Sequence, residues 1–564
     1  MKITKKTASF LLIASLLITV SVYPQNSQNF EISKNLDIFA TLYRELNSNY
    51  VDELNPSELI KNGIDAMLES LDPYTNYIPE AEIEDYRFMT TGEYGGIGSL
   101  IHKQGDHIII SEPYEDSPAH KAGLRAGDRV LKVNDKAASG KTVDDVSTIL
   151  KGQPGTAVKL TIEREGESKP LTFEITREKI SVESVPYFGM LNEKIGYIKL
   201  TNFTQNCSGD VKKAFLDLKQ KNTLDGLIID LRDNGGGLLT EAVNLVNLFV
   251  KKGEMVVSTK GKQLDKNKTY KTTMDPVDET IPLIILVNGS SASASEIVAG
   301  ALQDMDRAIV LGRQTFGKGL VQNVYPLSYN TQVKVTVAKY YIPSGRCIQA
   351  IDYSHHNANG EAGHIPDSLI TAYKTQGGRT VYDGKGIAPD IDTDSLRFST
   401  LAFNLVTKYI IFDYATQYAR SHPQIAAADK FSLSDEEYES FIAFTRTKGF
   451  EFTTPVENEL KQLKKAAETE DCWDDIRQSY EAMLSSIADF KSMELLEHKE
   501  EIKDLIELDI IGRYYFQKGR IQASLADDPD LNRAIEVIHD SATYTGILDG
   551  SISKPMKTRS SKKS

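Results

Sequence analysis

Apolar residues recur at every third or fourth position in LDIFATLYRELNSNYVD and SELIKNGIDAMLESL, which predicts a helical segment over residues 30–87. Ser57, followed by acidic and apolar residues, marks a helix start there, and Asp72-Pro73 marks its end. The pattern then shortens. HIIISEP, DRVLKVN, AVKLTIER and LTFEITRE read as strands, while SPAHKAGLRAGD and TVDDVSTILKG read as a short and a longer helix. Together they predict a compact αβ module over 88–180. Between 181 and 395 the strand-like runs IGYIKL, GLIIDLR, PLIILVN, AIVLG and VKVTVAKYY alternate with the helical runs DVKKAFLDLKQ, LTEAVNLVNLF and ASEIVAGALQD. Strands alternating with helices predict an α/β core. Residues 396–550 carry helical spacing and few glycines, so a helical C-terminal domain follows.

Composition narrows the picture. A length of 564 residues implies several domains. A net charge of −14 excludes nucleic acid as the main partner, because phosphate binding needs a basic surface. Cys207, Cys347 and Cys472 have no metal-ligand spacing and are too few for a disulfide scaffold. The first residues run from lysine-rich MKITKK through uncharged ASFLLIASLLITVSV to polar PQNSQN, the order of a secretory signal over 1–23. The folded part is therefore expected outside the cytoplasm, periplasmic or secreted. An uncleaved signal would instead tether it to the inner membrane. The basic stretch 551–564 is expected to be a disordered tail.

Candidate chemistry gathers at three loops. NGSSASASEIVAG (288–300) places Ser290, Ser291, Ser293 and Ser295 where a strand turns into a helix. Unpaired amides and the positive dipole end there would stabilise an oxyanion, although serine is also favoured simply as a helix cap. Spacing alone does not choose among the four. A serine nucleophile needs a base, and no histidine is near in sequence. Lys318, between Gly317 and Gly319 in GRQTFGKGLVQNVYPL, could serve if neutral. That requires about three units of pKa depression, ~4 kcal/mol, which desolvation can supply. GLIIDLRDNGGGLLTEA (226–242) ends a buried-looking strand in three glycines before a helix, exposing amides suited to an anion.

These pieces resemble the C-terminal processing peptidases, or tail-specific proteases, which carry a PDZ domain inside a Ser–Lys protease. The matching segments run in order: LDPYTNYI, GGIG, SPAHKAGLRAGDRVLKVN, LKGQPGT, DLRDNGGG, GSSASASEIVAGAL, GRQTFGKGLVQ, YYIPSGR and GIAPDI. The resemblance implies a crotonase/ClpP-like α/β protease core over 181–395 with a PDZ domain at 88–180. It also implies Ser293 as nucleophile, Lys318 as base and Gln322 as helper. The oxyanion hole would be formed by Ala294 with Gly236 or Gly237. A glycine, Gly235, stands where the family commonly has proline. Glu296 is expected to order the helix rather than act on substrate. In the PDZ domain, Gly96, Ile97 and Gly98 resemble the loop that takes a peptide carboxylate, and Lys151 matches a basic substrate-sensing position. Gln322 lies four residues from Lys318 in a strand-like run and reaches it only if the chain bends at Gly319.

The activity implied is cleavage of extracytoplasmic proteins near free, apolar C-termini, without cofactor or metal. Rival readings are a non-catalytic PDZ adaptor and an acyl-CoA enzyme of the crotonase fold. The three histidines of SHHNANGEAGH (354–364) are expected in a polar surface loop. For residues 396–550, packing, dimerisation to a homodimer and substrate guidance all stay open.

Overall fold

The computed structural model describes residues 23–356, 360–394 and 398–552. The signal-like segment up to residue 22, the tail from 553 and part of the SHHNANGEAGH run lie outside the described residues. Among the described residues no helix is long and apolar enough to cross a membrane. The described residues divide into two compact units: 23–80 with Gln322–Thr336, and Ala81–Val321 with 337–552.

The first unit is built on two helices, Tyr23–Asn49 and Pro56–Glu69, and the strand Asn76–Ile78, which pairs antiparallel with Gln332–Lys334. The second helix starts one residue before the expected Ser57. Pro56 is preorganised for the first helical position, and Asn55 accepts from the N–H groups of Ser57 and Glu58. The helix stops at Glu69, before Asp72-Pro73. Asp72 instead organises the following turn, accepting from Tyr74 N and Thr75 N at 2.9 Å. The apolar side of the first helix, including Phe30, Leu36 and Ile38, is exposed.

The second unit is organised around a six-stranded sheet. In order it contains β1 (Tyr187–Met190), β2 (Ile195–Lys199), β3 (Gly226–Asp230), β4 (Leu283–Val287), β5 (Ile309–Gly312) and β6 (Ile391–Asp392). β1 is antiparallel to β2, and all later pairings are parallel. Parallel strands need both faces covered, which is why β3 and β4 read as unbroken apolar runs. One face packs against α1 (Cys207–Lys221), α2 (Leu239–Val246) and α3 (Ala294–Asp304), the three helices that alternate with the strands. The other face, with Ile195, Tyr197, Ile228, Ile284, Leu286, Ile309 and Leu311, is covered by α4 (Pro529–His539) and α5 (Ser541–Leu548) from the end of the chain.

The αβ module forms its own sheet and core around Ile108, Ile110, Val130, Leu160 and Ile162. It does not stand free. His102 stacks on Tyr409 with ring centroids 4.1 Å apart, and Arg520 of the C-terminal helices pairs with Glu112. Those helices carry a separate aromatic core that includes Tyr414, Tyr438 and Phe441. Of the run expected as a polar loop, 354–356 end the strand Ile351–His356 and 362–364 form the strand Ala362–His364, which pairs antiparallel with it. Ladder formation uses backbone groups and needs no apolar run, so the pattern does not disclose it.

Candidate active site

At the carboxyl ends of β3 and β4, two loops are joined side by side. Asn288 Oδ1 accepts from Asp233 N at 3.0 Å, and Asn288 Nδ2 donates to Asp233 Oδ1 at 2.8 Å. Ala292 N donates to Asn234 O at 3.0 Å. Two of the four serines complete this joint. Ser291 Oγ donates to Leu231 O at 2.7 Å and Ser295 Oγ to Asn234 O at 2.8 Å, both serines fully buried. Ser290 sits in the exposed turn. Ser293 differs from all three: it stands directly before α3 with φ 56° and ψ −111°, a conformation that non-glycine residues avoid. Such strain at a strand-to-helix turn is how a hydroxyl is presented at the end of a sheet.

The glycine loop lies against that residue. A Cβ at Gly236 would fall 2.8 Å from Ser293 Cβ and 2.9 Å from Ala294 N, and Gly236 has φ +101°. Any side chain there would fill the space over the first amide of α3. Gly236 N–H is itself committed, donating to Asn234 Oδ1 at 2.9 Å. Gly237 N–H has no partner among the described residues.

Lys318 is half-buried in a loop whose backbone N–H and carbonyl groups are all held from Gly317 to Gly319. Gly317 N and Lys318 N donate to Glu296 Oε1 and Oε2 at 2.7 and 2.9 Å. Gly319 N donates to Gln349 Oε1 at 2.7 Å. The carbonyls of Gly317 and Gly319 accept from Ala350 N and Tyr340 N at 2.9 and 3.0 Å. Lys318 O accepts from the Tyr340 hydroxyl at 2.6 Å. Gly317 is required here, since a Cβ would meet Ala350 Cβ at 2.3 Å and φ is +87°.

Glu296 ties the two loops together. Its carboxylate is fully buried on α3. Oε2 accepts from Ser293 N at 2.8 Å as well as from Lys318 N at 2.9 Å, and Oε1 accepts from Thr315 Oγ1 as well as from Gly317 N. The structure thus brings Ser293, Lys318, Ala294, Gly236 and Gly237 into one place. Gln322 belongs to the first unit, where its Nε2 donates to Thr336 Oγ1 at 3.2 Å. A Ser-x-x-Glu pattern at a helix start signals Glu296 as a capping residue. Nothing local signals its partners in the Lys318 loop.

Burial pushes the Glu296 carboxyl up to about 7, against the pull of its four donors. In the unfolded chain it would ionise near 4.5. Between those values the folded state holds the extra proton, so this group's contribution to stability declines as pH rises, by about 3 kcal/mol in all. Urea unfolding midpoints measured across that range should show the decline in the wild type and not in Glu296→Gln. An unchanged slope in the variant would assign the effect elsewhere.

In the αβ module, Gly96 ends one strand and Ile97 and Gly98 link it to the next, all three buried. The carbonyls of Ile97 and Gly98 accept from Ala119 N and Ser117 Oγ at 2.8 Å, while their N–H groups have no partner among the described residues. Two buried amides of this kind are suited to a carboxylate. Lys151 pairs with Asp85 at 2.6 Å and lies over the Tyr94 ring. Among the described residues no group of three His, Cys, Asp or Glu side chains is placed to hold a metal ion.

Comparison with known proteins places these loops in a wider setting. The model of "Peptidase family S41" matches residues 194–356, that of "PDZ domain" matches 109–164, and that of "Probable PDZ-protease, C-terminal helical domain" matches 401–538. A "Carboxy-terminal-processing protease" of Bartonella bacilliformis is 39% identical over 348 residues, covering 61% of this chain and 79% of its own length. A "Probable CtpA-like serine protease" of Staphylococcus aureus is 34% identical over 397 residues, covering 70% of this chain and 71% of its own. Among solved structures, a photosystem II D1 C-terminal processing protease is 28% identical, covering 63% of this chain and 92% of its own, with a TM-score of 0.35.

Proposed function

The chain belongs to peptidase family S41, and from that premise we propose that it is a serine endopeptidase that cuts proteins near their C-termini. Its relatives are named carboxy-terminal-processing and CtpA-like serine proteases, which favours this reading over an adaptor or an acyl-CoA enzyme. The observation that carries the Ser–Lys assignment is the single oxygen, Glu296 Oε2, that accepts from both Ser293 N and Lys318 N.

In the proposed reaction, neutral Lys318 takes the proton of Ser293 Oγ as that oxygen attacks the scissile carbonyl carbon. The carbonyl oxygen becomes an oxyanion and receives hydrogen bonds from Ala294 N–H and Gly237 N–H. Gly237 is preferred to Gly236 because the Gly236 amide is occupied by Asn234. The C–N bond then breaks, and protonated Lys318 delivers its proton to the leaving amine. Water, deprotonated by the again neutral Lys318 amine, attacks the acyl-ester carbon; the acyl C–O bond breaks, and Lys318 returns the proton to Ser293 Oγ. Gln322 enters by the family resemblance alone and has no step here.

Substrate selection falls to the PDZ domain, with the unpartnered amides of Ile97 and Gly98 as carboxylate donors and the adjoining sheet edge taking the tail as an added strand. Lys151, engaged with Asp85, would report occupancy by exchanging that partner. Action outside the cytoplasm, free or tethered, rests on the first residues of the chain. The test is cleavage of one unfolded protein ending in an apolar free carboxylate, set against the same protein with an amidated terminus. Amidation should lower kcat/KM at least roughly tenfold, the cost of losing a charge-assisted anchor. Equal rates for the two would remove tail recognition and leave proteolysis.

A further inference from the structure

Glu296 grips the N–H groups of Ser293 and Lys318. The carbonyl ends of the same two residues are gripped by another side chain from a third segment. Tyr340 lies in the strand Gln332–Tyr341, with its ring buried to 1% exposure. Its hydroxyl is 2.6 Å from Lys318 O and 3.1 Å from Ser293 O, so one proton is shared between two carbonyls. Its backbone N–H donates to Gly319 O at 3.0 Å, which locks the residue itself against the lysine loop. Ser293 O also accepts the first helical bond from Ile297 N at 2.9 Å, so the tyrosine reaches the point where the strained turn becomes helix.

We propose that Tyr340 is a positioning residue for peptide cleavage: its hydroxyl straps the backbone of the nucleophile to the backbone of the base. The inference rests on the Ser293–Lys318 reading. Its physical basis is that proton transfer demands hydrogen-bond reach between hydroxyl and amine, and the two side chains come from separate loops, joined by Phe316 N to Ser291 O at 3.0 Å and through the Glu296 carboxylate. Glu296 fixes one end of each residue. Ile297 N holds Ser293 O within the helix, and Gly317 and Gly319 are held on either side of Lys318; the tyrosine hydroxyl is the group that ties the two carbonyls to each other. The Tyr340 ring needs no contact with substrate to do so.

Tyr340→Phe keeps the ring and the backbone bond to Gly319 and deletes only the strap. It is expected to lower kcat roughly 10- to 100-fold, the scale of a small misplacement of reacting groups, with KM nearly unchanged. The rate at which a small fluorophosphonate labels Ser293, counted per folded molecule, should fall by a similar factor. A purely structural role would leave that normalised rate alone. 4-Aminophenylalanine at position 340 restores a donor at the same place and should recover most of the loss, which also serves if the Phe variant folds poorly. Wild-type kcat in folded Tyr340→Phe, or a folded 4-aminophenylalanine protein with no recovery, overturns the strap. Retained cleavage by Ser293→Ala would instead overturn the reading beneath it, so the two failures are distinct.

Discussion

Lys318→Ala and Ser293→Ala should each lower kcat by at least about 10³-fold on an unfolded protein substrate, the usual consequence of removing a nucleophile or its base. Both should stay folded, which makes the loss interpretable. The loop around Lys318 is held by its backbone, through Glu296, Gln349, Ala350 and Tyr340, and none of those bonds uses the lysine amine. The joint beneath Ser293 is made by Ser291, Ser295 and Asn288. Peptide binding to the PDZ domain should be unaffected, since Ile97 and Gly98 lie on another part of the chain. Cleavage products would be followed by mass spectrometry, with melting temperatures taken on the same samples. A folded Lys318→Ala protein within tenfold of wild-type kcat would mean that another group takes the proton, and the Ser–Lys mechanism would be abandoned. The double variant should be little slower than either single one, because two residues that act as a unit do not lose activity additively.

Ending the chain after Leu525 should prevent the α/β core from folding, although every residue assigned to catalysis would remain. The cut removes α4 and α5, and with them Leu531, Ala534, Val537, Ile538 and Ile547. Seven large apolar side chains on the facing side of the sheet, from Ile195 to Leu311, would lose their cover, each now at most 1% exposed. At about 1.5–3 kcal/mol for each such side chain, the loss is about 10–20 kcal/mol, as large as or larger than the roughly 5–15 kcal/mol by which a domain is stable. The cut also breaks an ion cluster. Arg232 pairs with Asp528 at 2.6 Å and Asp530 at 3.1 Å as well as with Asp230 at 2.7 Å. Burial works against ionisation of Asp230, yet Arg232 and Lys199 hold its carboxyl down to about 2. Arg232 immediately precedes the glycine loop, so the last helices also steady the proposed oxyanion donors. Far-UV circular dichroism and urea unfolding of the shortened protein decide the point. A soluble, cooperatively unfolding product would show that the second face of the sheet is dispensable.

The local pattern was sufficient for the elements that carry the site. β3 and β4 are written as unbroken apolar runs because parallel strands bury both faces. α3 is written as ASEIVAGALQD, with small residues at its start and a glutamate one turn in. The three loops that carry the proposed chemistry stand out in the sequence for the same reason: glycine and serine gather where backbone must approach backbone or where a helix begins. The choice among four serines was not legible. It depends on which hydroxyls the facing loop consumes, and that loop lies about sixty residues earlier in the chain.

What the sequence determined, then, is which segments are strands, which are helices, and where polar groups interrupt them, because those properties follow from periodicity and backbone preference within a few residues. Tertiary structure alone decided which groups meet. Tyr340 reaches Ser293 and Lys318 across 47 and 22 residues, and Arg232 reaches Asp530 across 298. Burial in a shared interior selects such partners by geometry and by the cost of leaving a polar group unpaired, and neither leaves a mark on the residues adjacent in sequence.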